Sequence, residues 1–392
     1  MKLKKNNPDF RQRVIQFELN PNERQTIILN SLTYASSKLW NIANYEIKNW
    51  NKDKKYPDWY DQKSRLKNSF WYKNLPLQSA QETLKQLHEA WQSYHKLRKT
   101  GGVKNPKPPR YKNTNFNVRW LNKGFKIIDG KIRLSVPKQQ KKYLKEKYNI
   151  NSDYLYIAIP SEYKNISGNP KVIEIIPLSK TRIYKVNIIT ELPLITQKED
   201  NEIYMSIDLG INNLMTCYTT TGKTFIISGR QLLSINRYFD KMIAYYQSIA
   251  YAEQSANKNK YRKDTKRIQN LYAKRRKQIK HLLHTAAKRV VEIAEKIRVT
   301  KIIIGDITYI RENKDIGHVN NQKLHKWPFE KLKNLITYKA EDKGIIVEKQ
   351  EESYTSQCSP YEKEISFDTA NKTNRKQRGL YVVENKLFNA DC

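Results

Sequence analysis

The chain has 392 residues, enough for two or three domains, and its three scattered cysteines do not form a disulfide framework. Lysine and arginine number 74 against 38 acidic residues, and the net charge of +36 predicts a polyanionic partner, foremost nucleic acid, although a lysine-rich genome composition would give similar numbers. There is no apolar leader and no run of about 20 apolar residues, which predicts a cytoplasmic protein, nucleoid-associated when bound to DNA.

The N-terminal part begins with one predicted strand and two predicted helices. Residues 13–19, RVIQFEL, alternate as a strand does. The next helix is predicted to have Asn20 as its N-cap, Pro21 at its first position and Glu23 completing a capping box. Apolar residues at helical spacing predict a second helix at 79–99.

A basic loop and a group of short strands follow these helices. Residues 100–112, TGGVKNPKPPRYK, hold two glycines, three prolines and four basic residues, which is typical of a loop. Strand patterns then continue to about residue 195. We therefore predict a small β module of residues 1–20 and 113–198, into which residues 21–112 are inserted as a helical lobe.

The C-terminal part has the element order of an RNase H-like domain. Three strands follow one another between residues 202 and 228, a basic helical region covers 230–298, and a strand, a helix at 320–344 and a last strand complete the order. Three meandering strands followed by helix, strand, helix and strand predict this fold within residues 199–352. The fold class is therefore mixed α/β with several domains.

Two aspartates end apolar strands of this predicted domain. Asp208 closes YMSID and Asp306 closes KIIIGD. Adjacent parallel strands lie about 4.8 Å apart, so two carboxylates at their ends can share divalent cations, and oxygen ligands suit magnesium or manganese. Gly210 would let a phosphate approach the backbone. In such a metal site Asp391 would be a third ligand. The alternative is that each aspartate simply begins a turn.

Residues 251–300 contain 15 basic and 4 acidic residues, a net charge of +11. We predict that this helical region binds nucleic acid, with a solvated surface as the alternative. Arg375 and Arg378 are predicted to hold the scissile phosphate, with a structural salt bridge as the alternative. The predicted contact residues of the helical region are Arg262, Lys263, Lys266, Arg267, Lys274, Arg275, Arg276 and Lys277.

The sequence resembles the TnpB, or OrfB-type, proteins of insertion sequences, which are RuvC-like RNA-guided endonucleases related to type V CRISPR effectors. The resemblance covers nearly the whole chain and is strongest in the C-terminal half. The matching motifs there, in family order, are IDLGINNL (207–214), IIIGDITYIREN (302–313), NQKLHKWPFEKLKNLITYKAEDKGIIV (321–347), YTSQCSP (354–360), NRKQRGLY (374–381) and NADC (389–392).

The resemblance implies that Asp208, Asp306 and Asp391 are the catalytic acids and bind Mg²⁺ or Mn²⁺. It also implies a transposon-encoded guide RNA and double-stranded target DNA as partners. The β module and helical lobe would be the wedge and recognition modules. Residues 199–352 and 389–392 would form the RuvC-like nuclease domain.

Two departures from the family pattern bear on activity. The segment 353–388 resembles the family's zinc ribbon but keeps only Cys358, with Tyr361 where a second cysteine would stand, so we predict no zinc. One residue follows Asp391, whereas the family continues into a helix, so we expect either a truncated C-terminus or an Asp391 that is held less firmly than in the family. The alternatives to a nuclease are a guided DNA-binding protein that no longer cuts and a transposase that transfers DNA strands.

Overall fold

The chain divides into two compact units, Met1–Leu194 and Ile195–Cys392. The structure is a computed structural model. The residues that it describes are 10–50, 56–101, 103–178, 183–257, 263–306, 317–351, 358, 366, 368–371, 373, 375–377, 380–383 and 386–389.

The first unit contains a four-stranded antiparallel sheet in the order β1, β7, β6, β2. Phe10 of β1 pairs with Pro193 and Leu19 pairs with Tyr184, so the first strand of the chain returns to the β segment, as the sequence predicted. Ile173, Val186 and other inward side chains are fully buried. The strands are β1 (Phe10–Leu19), β2 (Val118–Leu121), β6 (Asn169–Pro177) and β7 (Tyr184–Pro193).

A second, three-stranded antiparallel sheet belongs to the same unit. Trp120 lies buried in the core that the unit's elements share, and its indole nitrogen donates to the carbonyl oxygen of Ser135 over 3.1 Å. A short helix follows this sheet's second strand. The elements are β3 (Phe125–Ile128), β4 (Lys131–Ser135), α5 (Lys138–Tyr148) and β5 (Tyr154–Ala158).

The helical part of the first unit starts at a different cap from the one predicted. The N-cap of α1 is Asn22, whose side chain accepts from the amide of Gln25, and the Gln25 side chain accepts from the amide of Asn22 in return. The prediction of Asn20 as the N-cap and Glu23 as its capping-box partner was therefore wrong, because Asn22 and Gln25 form the capping box instead. The helices are α1 (Glu23–Lys48), α2 (Trp59–Leu66), α3 (Phe70–Lys73) and α4 (Leu77–Thr100).

The end of the predicted basic loop runs along α1, held by side chains of that helix. Asn44 donates to the carbonyl oxygen of Pro109 over 3.0 Å, and Trp40 donates to that of Arg110 over 3.1 Å. Asn41 forms a reciprocal pair with the backbone of Lys112, over 2.8 and 2.7 Å. Residues 109–112 form no helix or strand, and these side-chain bonds satisfy their backbone groups in place of the hydrogen bonds of a regular element. The backbone of this segment therefore has a defined course.

A buried carboxylate links three adjacent strands of the four-stranded sheet, β2, β6 and β7. Glu174 accepts from Arg119 over 2.8 Å, from Asn187 over 2.9 Å and from Asn117 over 2.6 Å. Burial raises the pKa of Glu174, but the Arg119 charge and these hydrogen bonds outweigh it, so the pKa lies below its ordinary value. The carboxylate is therefore ionised and stabilising at neutral pH.

The second unit is built on a five-stranded sheet in the order β10, β9, β8, β11, β12. The first three strands are antiparallel, whereas β11 runs parallel to both β8 and β12. This order confirms the predicted RNase H-like arrangement. The strands are β8 (Tyr204–Asp208), β9 (Asn213–Thr219), β10 (Thr224–Ser228), β11 (Lys301–Gly305) and β12 (Ile346–Gln350).

Four helices accompany this sheet. The predicted single helix at 320–344 is wrong: it is two helices, because Pro328 cannot continue a helix and Trp327 before it is extended. In α7, the buried side chains from Leu283 to Ala294 recur at helical spacing and join the sheet's core. The helices are α6 (Arg230–Ala256), α7 (Lys266–Lys296), α8 (His318–Lys326) and α9 (Phe329–Glu341).

Near the C-terminus, three short strands form an antiparallel sheet: β13 (Arg375–Gln377), β14 (Leu380–Val383) and β15 (Lys386–Asn389). Cys358 is buried, and its sulfur lies 3.4 Å from the Thr369 hydroxyl. Among the helices in the described ranges, none is both long and apolar enough to cross a membrane.

Candidate active site and nucleic-acid surface

Asp208 and Asp306 leave the same edge of the five-stranded sheet. Ile207 of β8 and Ile304 of β11 are paired neighbours in parallel strands, and the two aspartates follow this pair by one and two residues. Both isoleucines are buried in the core, whereas both aspartates are exposed. The sheet register thus carries the two predicted carboxylates to one exposed edge.

Each aspartate is fixed by the backbone around it. Asp208 is the last residue of β8 and pairs with Thr216 of β9. The amide of Asp306 donates to the carbonyl oxygen of Gln350, at the end of β12, over 2.6 Å. The carboxylates are consequently attached to hydrogen-bonded strand ends, which hold a site more precisely than loops do.

The loop after Asp208 packs against the start of α6. A Cβ at Gly210 would lie 2.6 Å from the carbonyl oxygen of Asn213, so the loop's own backbone requires glycine there. The amide of Gly229 donates to Asn212 over 2.7 Å, and a Cβ at Gly229 would collide with the carbonyl oxygen of Ile211. Gly210 therefore serves the turn itself, whatever ligand approaches it.

A buried lysine contacts one of the two carboxylates. The Lys333 side chain is 3% exposed, and its Nζ lies 3.4 Å from Oδ1 of Asp306 and 3.3 Å from Oε2 of Glu330. Lys333 was not among the site residues predicted from the sequence. The available signal was a charged residue within the apolar stripe of α9, between Leu332 and Ile336.

The donor set fits a hard divalent cation. Two exposed carboxylates at one sheet edge offer the oxygen ligands that magnesium and manganese prefer. Within the described ranges, no group of three or more His, Cys, Asp or Glu side chains is gathered closely enough to hold a metal. Asp391, the third predicted ligand, lies outside those ranges.

The basic helical region is a pair of helices, α6 and α7. Six of the predicted contact residues are exposed, one just before α7 and five on it: Lys263, Lys266, Arg267, Lys274, Arg276 and Lys277. The guanidinium of Arg267 lies 3.9 Å from the ring centre of Tyr246 and remains at the surface. The surface of this region thus displays a dense positive charge.

Arg275 differs from the other predicted contact residues. Its guanidinium donates to Asn236 over 2.6 and 3.1 Å and lies 3.2 Å from Asp240, both on α6. These donors are used within the helix pair, so we correct its predicted role from phosphate contact to helix packing. Arg262 and Arg378 lie outside the described residues, and only the backbone of Arg375, in β13, is described.

A cavity of about 570 Å³ opens between α6 and α8. Arg237, Lys241 and Lys326 line it together with Asp240, whose Oδ2 accepts from Lys326 over 2.7 Å. The helix α6, which supplies Arg237 and Lys241, starts beside the loop that follows Asp208.

Positive charge also gathers where α7 packs on α9. His284 lies 3.5 Å from the Tyr338 hydroxyl. Burial lowers the pKa of His284, and the charges of Lys339 and Lys280 lower it further. The imidazole is therefore neutral at pH 7.

Comparison with known proteins finds two matching family models. The family model of OrfB_IS605, described as a probable transposase, matches residues 184–311, and the Cas12f1-like TNB domain model matches residues 329–391. A TnpB-like protein of Acidianus two-tailed virus is 24% identical over 391 residues, covering 93% of this chain and 80% of the relative. These matches support a TnpB-type protein. A TnpB-like protein of Methanocaldococcus jannaschii is 28% identical over 211 residues, 53% of this chain and 71% of the relative.

Solved structures share the fold of this chain. The Cas12f1–sgRNA–target DNA complex aligns with a TM-score of 0.62 at 15% identity, covering 94% of this chain and 81% of the other. The mini-RNA-guided endonuclease Cas_phi3 aligns with a TM-score of 0.50 at 11% identity, covering 98% and 91%. At these identities the likeness concerns the fold, and it extends over almost the entire chain.

Proposed function

We propose that this TnpB-type chain is an RNA-guided, magnesium-dependent endonuclease that hydrolyses phosphodiester bonds of DNA. The observation that carries the proposal is the pair of exposed aspartates, Asp208 and Asp306, at the ends of two hydrogen-bonded parallel strands. Asp391 is proposed as the third acid. The names of the two aligned structures refer to a single guide RNA, a target DNA and an RNA-guided endonuclease, which supports the choice of substrate.

The residues of the chain would divide the work as follows. Asp208 and Asp306 would hold the divalent cations, and their strand ends fix the separation of the carboxylates. When bound, divalent cations supply activation of water and neutralisation of charge at the phosphate. The exposed lysines and arginines of α6 and α7 would bind the phosphate backbone, which places the nucleic acid beside the sheet edge.

The proposed domains follow the same assignment. Residues 1–20 and 113–198 would be the wedge module and residues 21–112 the recognition lobe. Residues 199–352 with 389–392 would be the nuclease domain, and residues 353–388 a nucleic-acid-binding segment without zinc.

The test is a plasmid-cleavage assay with the protein and its copurified RNA in magnesium. Asp208→Ala should lower the cleavage rate at least a thousandfold, an order of magnitude expected when a metal ligand of a hydrolase is lost. Binding of RNA and of target DNA should stay within about threefold, because the side chain is exposed and carries no part of the core. Loss of binding together with cleavage would contradict the assignment of Asp208.

A strand-transferring transposase is the second candidate, favoured by the description of the matching OrfB_IS605 family as a probable transposase. The same three acids could serve that reaction, with a DNA 3′-hydroxyl in place of water. Incubation with transposon-end DNA separates the two candidates: joined strands indicate transfer, whereas cleaved ends alone indicate hydrolysis. A protein that binds its guided target without either product would be the cleavage-deficient form.

A further inference from the structure

Lys333 occupies a core position of α9. The buried side chains of this helix recur from Phe329 through Leu332 to Ile336 and Ala340, and Lys333 belongs to the same buried stripe. An apolar residue is the ordinary occupant of such a position, since burying an ammonium group is costly unless it is paired. The lysine therefore needs an explanation.

The ammonium group of Lys333 contacts a carboxylate of the candidate active site. The Nζ atom lies 3.4 Å from Asp306 and 3.3 Å from Glu330, while the side chain as a whole is 3% exposed. Asp306 and Glu330 are both more exposed, with 38% and 64% of their side chains accessible. The ammonium thus approaches Asp306 from the interior, while part of that carboxylate remains accessible to solvent.

We propose that Lys333 is a positioning residue and internal counter-ion of the candidate site, which holds the Asp306 carboxylate in place and weakens the binding of divalent cations to it. The inference rests on the proposed metal-dependent function. Lys333 keeps Asp306 oriented before any cation arrives. It also opposes a second positive charge on the same carboxylate, so divalent cations bind less tightly than two carboxylates alone would allow.

The size of the effect follows from Coulomb's law. A single positive charge within several ångströms of a divalent ion weakens its binding by on the order of tenfold, even with water-like screening. Replacing Lys333 by methionine keeps most of the side-chain volume and removes the charge. The Asp306 carboxylate that loses its partner in this variant is partly exposed, so water can solvate it. The fold should therefore tolerate Lys333→Met better than a change that leaves the buried ammonium unpaired.

The experiment measures Mn²⁺ binding to the full chain by electron paramagnetic resonance, without nucleic acid. The Lys333→Met variant should bind Mn²⁺ about tenfold more tightly than the wild type. Lys333→Arg, which keeps the charge, should bind like the wild type. The matched control is Lys331→Met, which removes an exposed charge from the same helix and should change the affinity less than twofold.

A second variant tests the same idea with the opposite sign. Glu330→Gln removes one of the two carboxylates that contact the Lys333 ammonium, so its charge is balanced less and Mn²⁺ should bind several times more weakly. In cleavage assays with RNA, the Mg²⁺ concentration that gives half the maximal rate should fall for Lys333→Met and rise for Glu330→Gln.

The outcomes separate this inference from the proposed function. If the wild type binds Mn²⁺ and Lys333→Met binds it equally or more weakly, Lys333 has only a structural role and the inference is overturned. If neither protein binds Mn²⁺ or cleaves DNA, the proposed function falls as well.

Discussion

Replacing the two candidate catalytic aspartates by asparagine should have unequal effects on stability. Asp306→Asn removes a carboxylate that contacts the buried ammonium of Lys333, whereas Asp208→Asn changes an exposed side chain at the end of β8. Both variants should lose cleavage, because both carboxylates are proposed metal ligands. Only Asp306→Asn should also weaken the second unit.

The magnitude follows from the exposure of the pair. Removing one partner of a fully buried ion pair costs about 3–5 kcal/mol. Asp306 is 38% exposed and Glu330 remains 3.3 Å from the ammonium, so solvent and the second carboxylate reduce the loss. We expect about 1–2 kcal/mol for Asp306→Asn, and less than about 0.5 kcal/mol for the exposed Asp208→Asn.

Hydrogen–deuterium exchange on peptides from β11 and α9 measures this local free energy directly. Adding Lys333→Met to Asp306→Asn should restore most of the protection, because no charge is then left buried. Adding Lys331→Met instead should restore none. Equal losses for Asp208→Asn and Asp306→Asn, or no recovery in the double variant, would refute the argument.

Three further predictions concern charge elsewhere in the chain. Glu174→Gln should lower the first unit's unfolding midpoint at pH 7, and the gap to the wild type should close as the pH falls below about 4.3, because a depressed pKa stabilises the fold only while the carboxyl is ionised. Arg276→Gln should reduce the slope of log affinity for DNA against log salt by about 1, whereas Arg275→Gln should leave the slope unchanged and cost about 1–3 kcal/mol in stability. In an NMR titration, His284 should titrate below 6.5, and Lys339→Met should move its pKa back towards that value.

The sequence predicted the sheet edge well because its strands carry a strong signal. Both β8 and β11 carry buried apolar residues up to their ends, and an aspartate directly after such residues marks the end of a strand at the edge of the sheet. The register of Ile207 with Ile304 then follows from the RNase H-like order. Both candidate carboxylates were found in this way.

Other features depend on contacts that lie outside any local pattern. Asn20 and Asn22 offer nearly equal caps, and only the pairing with Gln25 decides between them. Arg275 has the same sequence surroundings as Arg276, but its inward direction depends on which faces of α6 and α7 meet. Lys333 was overlooked because a lysine on a helix is ordinarily a surface residue, and its burial depends on the sheet below.

The attachment of residues 109–112 to α1 has a consequence for protein engineering. Each of Trp40, Asn41 and Asn44 forms a hydrogen bond with a particular backbone group, so the spacing of residues along this stretch is as strict as in a paired β-strand. Tags or extra residues should be tolerated near Gly101, where a left-handed residue ends α4 and an added Cβ meets no atom within 4 Å. Deleting one residue directly after Pro109 would put the bond at Pro109 out of register with those at Arg110 and Lys112, so the length of this proline-containing connection is fixed by the helix that it follows.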